Sequence, residues 1–178
     1  YCGGLVAPEF DTNPWKYKFT WNPRNVVLAG QGTAQYIEEG NYKYIPYGQL
    51  FKRIDSLNVL DYGEFEAYAN RDSLSYRDIY SLENIPTLLR GTLRRPGYCE
   101  AWDLFIQMGL TDDSFEMNVT GMSYKDFFLS FLDETTASIS DYLKFHFSIS
   151  DEVMAKVQWL GFLKEKQIGL EMATPAQV

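Results

Sequence analysis

Apolar positions fall into two regimes along the chain. Before Pro96-Gly97 they mostly alternate with polar residues over short stretches, and after it they recur at helical spacing. Alternation puts side chains on the two faces of a strand, whereas i, i+3, i+4, i+7 makes one face of a helix. Tyr17-Lys18-Phe19-Thr20-Trp21 predicts a short strand, inside a Gly-, Pro- and Asn-rich stretch over residues 1–24 that reads as a long shaped loop. Tyr36–Ile45 predicts a hairpin around Gly40-Asn41, and Phe65–Asn70 a further strand. Tyr76–Leu82 predicts a short helix near Ser73 or Ser75, and Leu88–Arg94 another strand. On that strand Leu88, Arg90, Thr92 and Arg94 share one face, and Leu89, Gly91, Leu93 and Arg95 the other.

Tyr98–Met108 is apolar on most sides and predicts a buried helix ended by Gly109. Ser123 and Ser150 are caps for two more helices, carrying Tyr124, Phe127, Phe128 and Phe131, and Val153, Met154, Val157 and Leu160. The fold class expected is α+β, a mixed sheet with flanking helices plus a small helical subdomain. The domains expected are an α/β part over 1–110, a helical part over 111–170, and a tail over 171–178 that frays.

The chain has 178 residues and a formal net charge of -8, which argues against a nucleic-acid partner, since phosphate binding needs a basic stripe. It has no apolar run long enough for a transmembrane helix. Cys2 and Cys99 form no disulfide framework, and the opening Tyr1-Cys2-Gly3-Gly4 is neither an initiator Met nor a signal peptide. A cytoplasmic processed piece or fragment is expected. The metal expectation is none: there is one His, and carboxylates and cysteines are not clustered. Gly30-Gln31-Gly32 imitates the start of a dinucleotide fingerprint, but Gln35 stands where the third Gly belongs.

Against this acidic background, residues 71–95 hold Arg71, Arg77, Arg90, Arg94 and Arg95. The guanidinium fork matches carboxylate or phosphate bidentately, so Asn70-Arg71-Asp72-Ser73 and Arg90–Arg95 are the candidate receptor for a small anion. A solvated charged strand face is the plain alternative. Cys2, beside Gly3-Gly4, is a candidate thiol or a small hydrophobe at a strand end.

These motifs occur in order with Tyr1–Glu9, Asn13-Pro14, Tyr17–Arg24 and Gly97-Tyr98, and together the chain resembles the glutamate-forming saccharopine dehydrogenase family, also called saccharopine reductase. The family patterns read close to YCGGLPAPE, NNPLGYKFSW, NRDS and RGTLR. The likeness is strong over about residues 1–110 and looser beyond, through Trp159–Leu163. It implies a glyceraldehyde-3-phosphate dehydrogenase C-terminal-like substrate and dimerisation domain with a helical insertion, the Rossmann domain being absent from the chain. It implies that Arg71, Thr92, Leu93 and Arg94 bind substrate, that Cys2 lies at the reacting centre as a catalytic residue, and that Trp21 adjoins the cofactor. The implied activity is oxidation of saccharopine with NAD or NADP to glutamate and 2-aminoadipate 6-semialdehyde, or the reverse, in a homodimer. A fragment without the cofactor domain is expected inactive. Val6, Ala69 and Asn25 depart from the family's usual Pro, Pro and Gly. A non-catalytic anion-binding or assembly module, and a carboxyspermidine-type imine reductase, are the alternative readings.

Overall fold

The computed structural model describes residues 1–3, 5–20, 22–133 and 138–178. In chain order the elements are β1 (Cys2–Gly3), α1 (Pro23–Val27), β2 (Ala34–Glu38), β3 (Asn41–Ile45), β4 (Asp55–Asn58), β5 (Glu64–Ala69), α2 (Tyr76–Ile79) and β6 (Gly91–Arg94). They continue with α3 (Tyr98–Met108), β7 (Met117–Asn118), α4 (Tyr124–Leu129), α5 (Ile139–Phe147), α6 (Asp151–Leu160) and β8 (Met172–Ala173). The chain is mixed α+β. Its main sheet has the order β1-β6-β5-β4, with β1 parallel to β6 and the other pairs antiparallel.

The register decides which side chains meet. Tyr68 lies opposite Thr92, Glu66 opposite Arg94, and Cys2 beside Thr92, so these five share one face. Phe65 and Ala67 project from the opposite face and are buried, and β2 lies against β5 there. The β2–β3 hairpin turns through Glu39-Gly40 rather than Gly40-Asn41; both turn residues have positive φ, as a two-residue hairpin loop requires.

Helix α3 is the axis of the core. Tyr98, Trp102 and Phe105 pack with Trp15, Tyr17 and Phe51, ring centroids lying 5.4–6.2 Å apart. Each such pair contributes about 0.5–1.5 kcal/mol beyond its buried area. Glu66 fixes where the helix begins: one carboxylate oxygen accepts from the amide of Gly97 at 2.7 Å and the other from that of Cys99 at 2.8 Å. These are donors that a helix start leaves without partners. Gly109 ends the helix in the left-handed conformation. The α3 start and end, and the Ser123 and Ser150 caps, are as expected; Ser123 forms a reciprocal capping box with Asp126.

Four expectations are corrected. Residues 17–20 form no strand; Trp15 and Tyr17 turn inward instead, and the Asn13 side-chain amide holds the carbonyl of Tyr17 at 2.9 Å. The strand over Leu88–Arg94 is divided, Leu88 bridging to Ile37 of the hairpin and Gly91–Arg94 entering the main sheet. Helix α2 stops at Ile79, and Ser81 adopts positive φ. The tail does not fray: β8 pairs with β7, Ala173 and Thr174 are buried, and the amide of Ala176 donates to the carbonyl of Asp112.

Candidate anion-binding site

The Asn70–Ser73 turn and the strand that begins at Arg90 are fastened to each other by three hydrogen bonds. The Asn70 amide donates to the Arg90 carbonyl at 2.8 Å, the Arg90 amide to Ser73 Oγ at 2.9 Å, and Asn70 Nδ2 to Thr92 Oγ1 at 3.0 Å. Gln35 of β2 grips the turn from outside, its amide donating to the Arg71 carbonyl and its carbonyl accepting from the Ser73 amide. Inside the turn, Asp72 Oδ1 accepts from the amides of Leu74 and Ser75 at 2.8 and 3.3 Å. Burial alone would raise the Asp72 carboxyl, but the Gln35 side chain and those two amides outweigh it and hold the group below its ordinary value. The turn holds Arg71 at φ 58°, a left-handed conformation costly for a non-glycine residue.

The fastened pair walls a cavity of about 720 Å³. Cys2, Arg71, Thr92 and Arg94 line it, as do Arg90, Tyr68, Tyr76 and Asn70. No acidic side chain is among its described lining residues. Leu93 points to the other face of the sheet and does not line it. Trp21 lies outside the described residues. Cys2 is exposed at the cavity edge and is a free thiol. Arg95 turns away, donating to the Tyr62 carbonyl and stacking over Phe65.

Arg94 is the decisive residue. It is 7% exposed, and its guanidinium lies 4.8 Å from the Tyr17 ring centroid and 5.0 Å from that of Tyr98. Its NH1 donates to the Leu93 carbonyl, while its buried Nε has no hydrogen-bond partner. No carboxylate of the described residues pairs with Arg71, Arg90 or Arg94. A buried cation without a counter-ion costs several kcal/mol (about 3–5 where one partner of a buried pair is removed), so an anion supplied from outside gains correspondingly. Tyr68 stays a neutral hydrogen-bonding phenol at the floor: burial pushes it up to about 12 although Arg94 pulls the other way.

Gly91 is required by contact. A Cβ there would stand 2.3 Å from the Tyr1 ring and 3.1 Å from the Tyr68 carbonyl. Gly30 does not cradle a dinucleotide, because a Cβ there would meet Ile106 at 2.1 Å and Phe51 at 2.6 Å; its missing side chain serves packing against α3. Gly30-Gln31-Gly32 is therefore not a dinucleotide-binding turn. Among the described residues no group of three or more His, Cys, Asp or Glu could hold a metal ion, and no helix is long and apolar enough to cross a membrane.

Sequence reasoning left out Tyr68 and Tyr76, and it gave Arg90, though part of the candidate stretch, no role of its own. Arg90 was within reach of strand parity, which already set it beside Thr92 and Arg94. Tyr76 had no such signal, since only the fold brings α2 to the strand.

Fold and cavity define an α+β domain with an arginine-walled cavity, the candidate seat for a small anion. The saccharopine dehydrogenase C-terminal domain family matches residues 1–175, and the chain belongs to it. It is 35% identical to the mitochondrial alpha-aminoadipic semialdehyde synthase of Bos taurus over 179 residues, covering 94% of this chain and 19% of that protein. It is 29% identical to the NADP(+), L-glutamate-forming saccharopine dehydrogenase of Saccharomyces cerevisiae, covering 94% of this chain and 40% of that one. The solved apo structure of the L-Glu-forming saccharopine dehydrogenase from Saccharomyces cerevisiae superposes with a TM-score of 0.80 at 27% identity, over 95% of this chain and 40% of the other. The chain thus spans a fifth to two fifths of the length of these relatives.

Proposed function

We propose that this chain is the substrate-receptor part of a saccharopine dehydrogenase, which interconverts saccharopine with glutamate and 2-aminoadipate 6-semialdehyde in lysine metabolism. The observation that carries the reading is the buried Arg94, which has no carboxylate partner among the described residues and shares with Arg71 a cavity whose described lining has no acidic side chain. Saccharopine brings three carboxylates to it. Arg94 and Arg71 hold carboxylates, Thr92 hydrogen-bonds at the floor, and Cys2 stands at the edge where the reacting centre lies. Leu93 contributes only through its backbone, since its side chain belongs to the other face. NAD or NADP supplies the hydride acceptor and is held outside these residues. The contribution of this part is positioning: fixed carboxylates bring the reacting carbon to one place.

The sheet part takes the role of a glyceraldehyde-3-phosphate dehydrogenase C-terminal-like domain, with residues 111–170 as its helical insertion, and the working enzyme is a homodimer. Its setting is a reducing compartment such as the cytoplasm; both cysteines of the chain are free.

The test uses the longest native polypeptide that carries these 178 residues. Saccharopine-dependent reduction of NAD(P) is measured for wild type, Arg71→Ala and Arg94→Ala. Each variant is expected to raise KM at least about tenfold, the scale of losing a charge-assisted hydrogen bond. Unchanged KM in both variants overturns the reading, as does activity confined to a polyamine imine.

A further inference from the structure

Arg90 opens the Arg90–Arg94 motif but has no assigned role. It lines the same cavity as Arg71 and Arg94 and is half-buried. Its backbone is locked on both sides, the amide by Ser73 Oγ and the carbonyl by the Asn70 amide. Its side chain is locked too. NH1 donates to Tyr76 Oη at 3.0 Å, and the guanidinium carbon lies 5.3 Å from the centroid of the same ring. Tyr76 is itself stacked on Tyr80 at 5.9 Å with the rings 7° from parallel. No carboxylate of the described residues neutralises it.

A solvated surface arginine has none of this order, because exposed side chains lose rotamer entropy when fixed. A guanidinium held by a tyrosine, with much of its donor fork still directed elsewhere, is prepared for a planar anion. Its place along the strand adds a length. Arg90 and Arg94 stand four residues apart on one face, which separates their Cα atoms by about 13 Å. Their guanidinium groups are also anchored on different rings, Arg90 on Tyr76 and Arg94 on Tyr17 and Tyr98, which suits an extended molecule with charged ends.

We propose that Arg90, oriented by Tyr76, is a third carboxylate seat, so that the cavity selects an extended amino acid bearing three carboxylates over one bearing two. This rests on the saccharopine reading above. Arg90 is a binding and specificity residue, and Tyr76 is a positioning residue acting through it.

The experiment measures binding of saccharopine, and of three analogues each with one carboxylate converted to the carboxamide, to the longest native polypeptide and its variants. Arg90→Gln is expected to weaken saccharopine binding about tenfold to a hundredfold while leaving the ligand-free melting temperature in place. Against one of the three amides, the same variant is expected to bind within about twofold of wild type, because the partner of Arg90 is already gone. Arg90→Lys recovers part of the affinity, and Tyr76→Phe loses less than Arg90→Gln does. Equal weakening for saccharopine and all three amides overturns the third seat, as does an Arg90→Gln protein that binds saccharopine like wild type. In either case Arg71→Ala and Arg94→Ala still report on the parent reading. If wild type itself does not bind saccharopine, that parent reading fails and this inference with it.

Discussion

At the scale of single residues, the arginine cluster separates stability from binding. Arg94 occupies a place where the chain alone would favour an apolar side chain, because its charge is buried with no counter-ion among the described residues. Replacing buried ionic groups by apolar ones of similar size is often neutral or stabilising. The Tyr17 and Tyr98 rings recover part of the cost through cation–π contact. Arg94→Met is therefore expected to leave ligand-free stability unchanged or raise it by about 1 kcal/mol, while abolishing the melting shift that the proposed function predicts for wild type with saccharopine. Urea unfolding without ligand and thermal shifts with it check both halves. A ligand-free loss beyond about 2 kcal/mol would make Arg94 a structural residue instead.

At the scale of elements, the turn that presents Arg71 depends on Asp72. The Asp72 carboxylate supplies the partners that the amides of Leu74 and Ser75 lack before α2 begins, and no serine side chain caps that helix. Asp72→Ala is expected to cost about 1 kcal/mol of stability. It also frees Arg71 from its left-handed conformation, so the loss in saccharopine affinity exceeds the loss in stability. The pH dependence follows from the depressed folded value of Asp72. Its contribution is fully present above the ordinary carboxyl value and disappears as pH falls through the lower folded one. Acid titration of unfolding should therefore find wild type and Asp72→Ala converging as pH falls below the ordinary carboxyl range. A constant gap down to the lowest pH would assign the effect to packing.

Elements were legible where local chemistry decides them. Ser123, Ser150 and Gly109 mark helix ends through hydrogen bonds made within a few residues, and α3 has both its ends where periodicity and Gly put them. Strand parity gave the shared face of Thr92 and Arg94 because the pleat has period two. Elements fixed by distant partners were not legible. β4 is a polar edge strand, Asp55–Asn58, that exists only because β5 offers it a ladder. α5 carries Tyr142, Phe145 and Phe147, and aromatic residues favour a helix only weakly, so local preference said little. Residues 17–20 have a strand's alternation but no partner strand, and packing of Tyr17 decided their path. The Tyr76 contact to Arg90 is likewise a product of the fold.

At the scale of the molecule, the helical half shares the core of the sheet half rather than owning one. Phe105 of α3 meets Phe162, which in turn meets Phe128 of α4, and Trp15 Nε1 donates to the Lys156 carbonyl of α6 at 3.1 Å. The C-terminal residues close this arrangement. β8 pairs with β7, Ala176 holds the loop at Asp112, and the neighbouring Thr111 and Asp113 bond Gln31, just past α1, and Arg24 within it. Asn25, Val26 and Ala29 of that region form part of the cavity wall. Removing residues 172–178 thus takes away buried Ala173 and Pro175 and the partner strand of β7. At about 25 cal/mol per Å² of apolar surface, with the ladder bonds added, the loss is on the order of 2 kcal/mol. Because the core is continuous, the truncated protein is expected to melt in one transition at a lower temperature, with fluorescence of the tryptophans and far-UV circular dichroism moving together. Two separated transitions would mean that residues 111–170 fold on a core of their own, and that the tail staples only that half.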